Sequence, residues 1–280
     1  MRVLQVDADR SAKYRSRLSK FLAAQVDDGA SLVCRLAGGS TGCRRSFKSG
    51  ELIEGQLSHV GACYDLRQND MPLRILIVPK QVGGDLSHGG TRGVEHVTVR
   101  GRVDQVDAAK CGHRPFPRTP HMDGTALALK VLLGLPCDAP ERIVIDNIDR
   151  HVFDCFSMAN ATLCSHVRDD ASGQGTAAMF RNCNGHLAET IRILRPTIIV
   201  TQGWSKAGWS PARSVAASFD RPTPPKNSCT CISSADWHVV FAALVHPSRS
   251  WATVKQFRSS GIEQVLLETR RQALLVRPEP

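Results

Sequence analysis

The 280-residue chain lacks any apolar run near the roughly 20 residues that a helix needs to cross a bilayer. Its amino terminus, MRVLQVDADRSAKYRSRL, also lacks an apolar stretch of signal-peptide type. The expectation is a cytoplasmic protein with no membrane partner. In that reducing compartment cysteines act more often as buried apolar residues or metal ligands than as disulfides. Acidic residues are also in deficit: 26 Asp and Glu face 36 Lys and Arg, a formal charge of +10. Such a balance favours a polyanionic partner, because Lys and Arg release counterions from phosphates. Charge alone leaves open whether that partner is DNA, RNA or an acidic membrane. Cysteine, by contrast, is plentiful, with ten residues.

The length suits a single compact domain over residues 1–280. Residues 10–28 read as a polar helix bearing Arg10, Lys13, Arg15, Arg17 and Lys20. The segment 29–70 has no sustained period but holds Cys34, Cys43 and Cys63 beside Arg44, Arg45 and Lys48; an irregular stretch of that length needs an anchor. Short apolar runs predict strands at Leu73–Val78, Val152–Ala159, Thr197–Thr201 and Val239–Val245. Helices are expected over Gly124–Leu133, capped by Asp123, over 178–194 and over roughly 252–273. Residues 86–119 read as a polar insertion or lid, and 221–231 as a proline-rich linker carrying Cys229 and Cys231. Cys111, Cys137 and Cys155 are read as structural.

Four strands separated by helical segments predict a three-layer α/β/α sandwich around a central four-stranded parallel sheet. In open sheets of this kind ligands bind beyond the carboxyl ends of the strands, so 79–85, Asn160 and His246 are expected to converge on one cleft.

The ordered set IVPKQVGGD, DGTALALKVLLGL, FSMANATLCSH, RNCNGHLAETIRILRPTIIVTQG and VVFAALVHPS resembles the uracil-DNA glycosylase superfamily, in particular its thermophile-type branch, which carries a 4Fe–4S cluster. The resemblance runs through most of residues 73–260. It implies a monomer that flips a uracil-like base out of DNA and hydrolyses its N-glycosidic bond, leaving an abasic site. Asn160 would read the pairing edge of the base, His121 or Phe116 would stack on it, and neutral His246 would stabilise the departing anion. Ser248, Arg249, Trp251 and Lys255 would contact DNA, with Arg44 and Arg45 on its phosphates. The cluster would be held by Cys34, Cys43, Cys164 and Cys183, with Cys63 as the alternate ligand. The chain departs from the branch in lacking a close C-x2-C pair and in carrying Lys80 where glutamate is expected. Gln81 or Asp85 would then have to position or activate water. The departure at Lys80 and the 86–119 insertion point to a bulky or modified pyrimidine, such as a phage-type cytosine, or to a non-catalytic protein that binds damaged or modified DNA.

Overall fold

The computed structural model describes residues 4–26, 33–48, 51–53, 58–80, 106, 120–167, 173–206, 208–233 and 237–275. Gln81, Asp85, Cys111, Phe116 and, apart from Val106, the 86–119 insertion lie outside the described residues.

The centre is a mixed sheet of six strands: β1 (His59–Val60), β2 (Ile75–Pro79), β3 (Phe156–Met158), β4 (Ile198–Gln202), β5 (Ser228–Ser233) and β6 (His238–Leu244). Their spatial order is β5-β6-β4-β2-β3-β1. The inner neighbours β6/β4, β4/β2 and β2/β3 pair in parallel, with Ile198 opposite Val240 and Ile75, and Ile75 opposite Phe156. The two outer strands pair antiparallel. The sheet is therefore wider than the four parallel strands expected. The proline-rich 221–231 segment runs into β5, in which only Ile232 is buried among cysteine, serine and threonine.

Helices cover both faces because successive residues of the inner strands point to opposite sides. Ile75, Ile77, Ile198, Val200, Val240 and Ala242 join a core with α2 (Pro120–Leu133) and α7 (Ile262–Leu275). Leu76, Val78, Ile199, Val239 and Phe241 join a second core with α1 (Ala8–Gln25), α3 (Ala177–Leu194) and α4 (Pro211–Ala217). Burial on both faces explains the near-continuous apolarity of the strands. Each fully buried branched side chain stabilises the fold by about 1.5–3 kcal/mol.

The ends of the helices correct several sequence-based boundaries. Asp7 caps α1, accepting the Arg10 N–H at 2.8 Å, and α1 ends at Gln25. α2 starts at Pro120, so Asp123 lies within its first turn rather than at its cap; proline tolerates that entry because its missing N–H would be unpaired there anyway. Thr176 caps α3 through the Met179 N–H at 3.2 Å. The helix expected over roughly 252–273 is two, α6 (Val254–Ser259) and α7, with Gly261 at φ 74° between them, and the short α5 (Pro247–Ser250) precedes them. Segment 29–70 is less irregular than expected, since β1 and strands Glu51–Ile53 and Leu66–Gln68 fall within it.

At Gly124, α2 approaches the turn that follows β6. A Cβ there would stand 2.4 Å from Pro247 Cβ and 3.2 Å from Trp251 Cε3. Gly124→Ala is expected to lower the melting temperature, because overpacking costs about 1–3 kcal/mol against a helix-propensity gain of at most about 1 kcal/mol. A thermal melt that rises instead would contradict this contact.

Candidate functional site

From β2 the chain moves to β3 on one side, then crosses back to β4 and β6 on the other. The direction reverses between β2 and β4, and the crevice beyond their carboxyl ends is where an open α/β sheet offers a site.

Three strand ends furnish it. Beyond β2, the Ala161 N–H donates to Pro79 O at 2.9 Å and the Thr162 N–H to Lys80 O at 3.1 Å. These bonds hold buried Asn160 beside the end of β2. Beyond β4, Gly203 adopts φ 125°, a conformation that disfavours a side chain, and a Cβ there would be 3.6 Å from Lys80 Cβ. Beyond β6, His246 opens α5.

The chemistry of His246 follows from its neighbours. Its Nδ1 accepts the Ser248 backbone N–H at 3.3 Å and lies 2.8 Å from Ser248 Oγ. A backbone N–H can only donate, so the proton of the neutral ring resides on Nε2. Burial, followed by the charges of Arg249 and Lys80, holds the His246 pKa below its ordinary value. Burial and then Arg249 likewise lower that of Lys80. The result is a neutral imidazole donor in a cationic setting, suited to an anion that forms during reaction.

The His121 ring stacks on His246, with centroids 5.4 Å apart and planes at 25°. A relay fixes its turn: Gln202 Nε2 donates to Thr125 Oγ1 at 3.2 Å, and Thr125 Oγ1 donates to His121 O at 2.9 Å. Sequence reasoning assigned no role to Gln202 or Thr125. A glutamine at the end of an apolar strand and a threonine four residues after His121 were the available signals.

Ser248 and Arg249 on α5 and Lys255 on α6 are exposed, as are Arg44 and Arg45 on a 3₁₀ turn, Cys43–Arg45. Arg258, on α6 near Lys255, pairs with Asp138 at 2.7 Å. Trp251 differs from its expected role. It is fully buried, and its Nε1 donates to Val245 O at 3.0 Å, so it anchors the turn from within and presents no surface to DNA.

A second constellation lies among the cysteines. The nine described are all free thiols. Burial raises the Cys183 pKa, and Cys164, Cys43 and Cys34 add to the rise by charge repulsion, which brings all four expected ligands into one neighbourhood. The Leu163 N–H donates to Cys183 Sγ at 3.4 Å and Asn182 Nδ2 to Cys43 Sγ at 3.4 Å, the kind of bond that metal-bound thiolates accept. Cys34 Sγ meets His186 Nε2 at 3.5 Å. The Cys183-x2-His186 spacing on α3 was a legible signal for that neighbour. Cys63 stands apart: it bonds Cys155 in the core on the α2 face, whereas Cys183 belongs to the opposite core. Among the described residues no three His, Cys, Asp or Glu side chains are arranged to hold a metal ion. Thiolates are the ligand type that an iron–sulfur cluster takes, and binding one would displace their protons.

Among the described residues no helix is long and apolar enough to cross a membrane. In comparisons with known proteins, no protein family and no curated protein matches the chain.

Proposed function

We propose that the protein is a DNA glycosylase of the uracil-DNA glycosylase type, with the three-layer α/β/α architecture of that superfamily, acting as a cytoplasmic monomer. It hydrolyses the N-glycosidic bond of a flipped-out uracil-like or modified pyrimidine and leaves an abasic site. The observation that carries this reading is His246: a neutral Nε2 donor stacked on His121, at the strand ends that also hold Asn160. As the bond breaks, the base departs as an anion and the Nε2–H meets its developing charge. Asn160 offers both donor and acceptor to the pairing edge of a pyrimidine. Modified duplexes containing uracil, 5-hydroxymethylcytosine or its glucosylated form, treated with alkali after incubation, test it. Strand breakage at one modified base supports the proposal, and intact strands on every substrate refute it.

Cys34, Cys43, Cys164 and Cys183 would hold the 4Fe–4S cluster, which would tie the amino-terminal segment to α3. The anaerobically purified protein is expected to absorb near 400 nm and to carry about four irons per chain. Cys183→Ser should lose both, while Cys63→Ser keeps them. A colourless wild-type protein that folds without iron would remove the cluster from the proposal.

A second reading, a non-catalytic protein that binds damaged or modified DNA, is favoured by Lys80. It occupies the end of β2, where a water-orienting carboxylate would stand. Tight binding to a modified duplex without breakage is its signature.

A further inference from the structure

Lys80 is half-buried at the reversal point of the sheet, and hydrolysis of the glycosidic bond gives its amine no task. Its carbonyl is fixed by the Thr162 N–H at 3.1 Å, and its Cβ lies beside Gly203, each one residue beyond the paired ends Pro79 and Gln202 of β2 and β4. Its charge acts on His246, and that of Arg249 acts on it, so the three residues share one space.

We infer that Lys80 is a nucleophile toward abasic DNA and gives the protein a second activity, cleavage of the strand by β-elimination. The inference rests on the glycosylase reading for the source of the abasic site, but its chemistry can be tested apart from it. The neutral amine attacks the C1′ aldehyde of the ring-opened sugar, forming a C=N bond and expelling water. The protonated imine draws electrons from the adjacent carbon. A solvent base takes a C2′ proton, the C2′–C3′ double bond forms, and the 3′ C–O bond breaks to release a 5′-phosphate end. Water then hydrolyses the imine, freeing Lys80 and an unsaturated aldehyde on the 3′ side. No external oxidant or reductant is consumed.

The amine needs its lone pair, which ordinary lysine lacks near neutral pH. Partial burial and then the charge of Arg249 favour the uncharged form. Gly203, beside the lysine, carries no side chain, and a Cβ there would already touch Lys80 Cβ at 3.6 Å.

The test uses the full-length protein and a duplex with one preformed abasic site, together with sodium borohydride, which reduces an imine to a stable amine. A covalent protein–DNA adduct whose cross-linked peptide maps to Lys80, absent in Lys80→Arg and Lys80→Gln variants that still fold and bind the duplex, is expected. Absence of an adduct with wild-type protein, or an adduct mapped to another amine, overturns the inference. A parallel duplex with an intact modified base reports excision separately. An adduct on abasic DNA without excision would retain the lyase and discard the glycosylase.

Discussion

His246→Ala is expected to lower base excision by about 10²–10³-fold while leaving DNA affinity nearly unchanged, because it removes a donor that matters most as charge develops on the leaving base. Single-turnover rates on the modified duplex that wild-type protein cleaves, set beside equilibrium binding, give both quantities. The pH profile adds a second readout. Excision needs the neutral ring, and burial with Arg249 and Lys80 holds the His246 pKa below its ordinary value of 6.5. Activity is therefore expected to persist as pH falls through 6.5 and to decline only in more acidic solution. Arg249→Gln removes one of those charges and should move the acid limb toward higher pH. A variant that binds and cleaves like wild type would exclude His246 from the chemistry.

Trp251→Ala is expected to cost about 3–5 kcal/mol of stability, the range for emptying a large aromatic site in a core. The indole is fully buried, lies 5.9 Å from the Phe257 ring and bonds Val245 O, so its loss opens a cavity beneath the turn carrying His246. Urea unfolding measures it, with Trp251→Phe as the milder comparison. A change below about 1 kcal/mol, combined with weakened DNA binding, would restore the duplex-inserting role that the sequence implies.

Strands β2, β4 and β6 were legible because burial on both faces leaves an unbroken apolar run, as in ILIV and TIIV, whereas the run expected as a strand over Val152–Ala159 is a 3₁₀ turn, Val152–Asp154, followed by the three-residue β3. Strand β5 was hidden by an edge position, where one face needs no apolar residue. A hairpin over Arg142–His151 was also missed, although Asp146 and Asn147, at φ 48° and 63°, are residue types that tolerate the left-handed conformation of a two-residue turn. At the site, Asn160 and His246 could be picked out because strand-end polar residues stand out against apolar runs. The burial of Trp251 was not legible: an aromatic after His-Pro-Ser reads equally as an anchor or an inserting wedge, and only packing against Gly124 and Phe257 distinguishes them. The separation of Cys63 from Cys183 likewise rests on which face of the sheet each thiol occupies, a property that sequence spacing does not encode for an irregular segment.

The order of the sheet also bears on how the chain is made. β2 lies between β3 and β4, so neither of its neighbours is local in sequence, and its partner β4 leaves the ribosome more than a hundred residues later. At synthesis rates of roughly 5–20 residues per second, that apolar strand waits on the order of ten seconds for its second neighbour. Folding should accordingly be slow for the chain's size, and the nascent protein should depend on a chaperone over that interval.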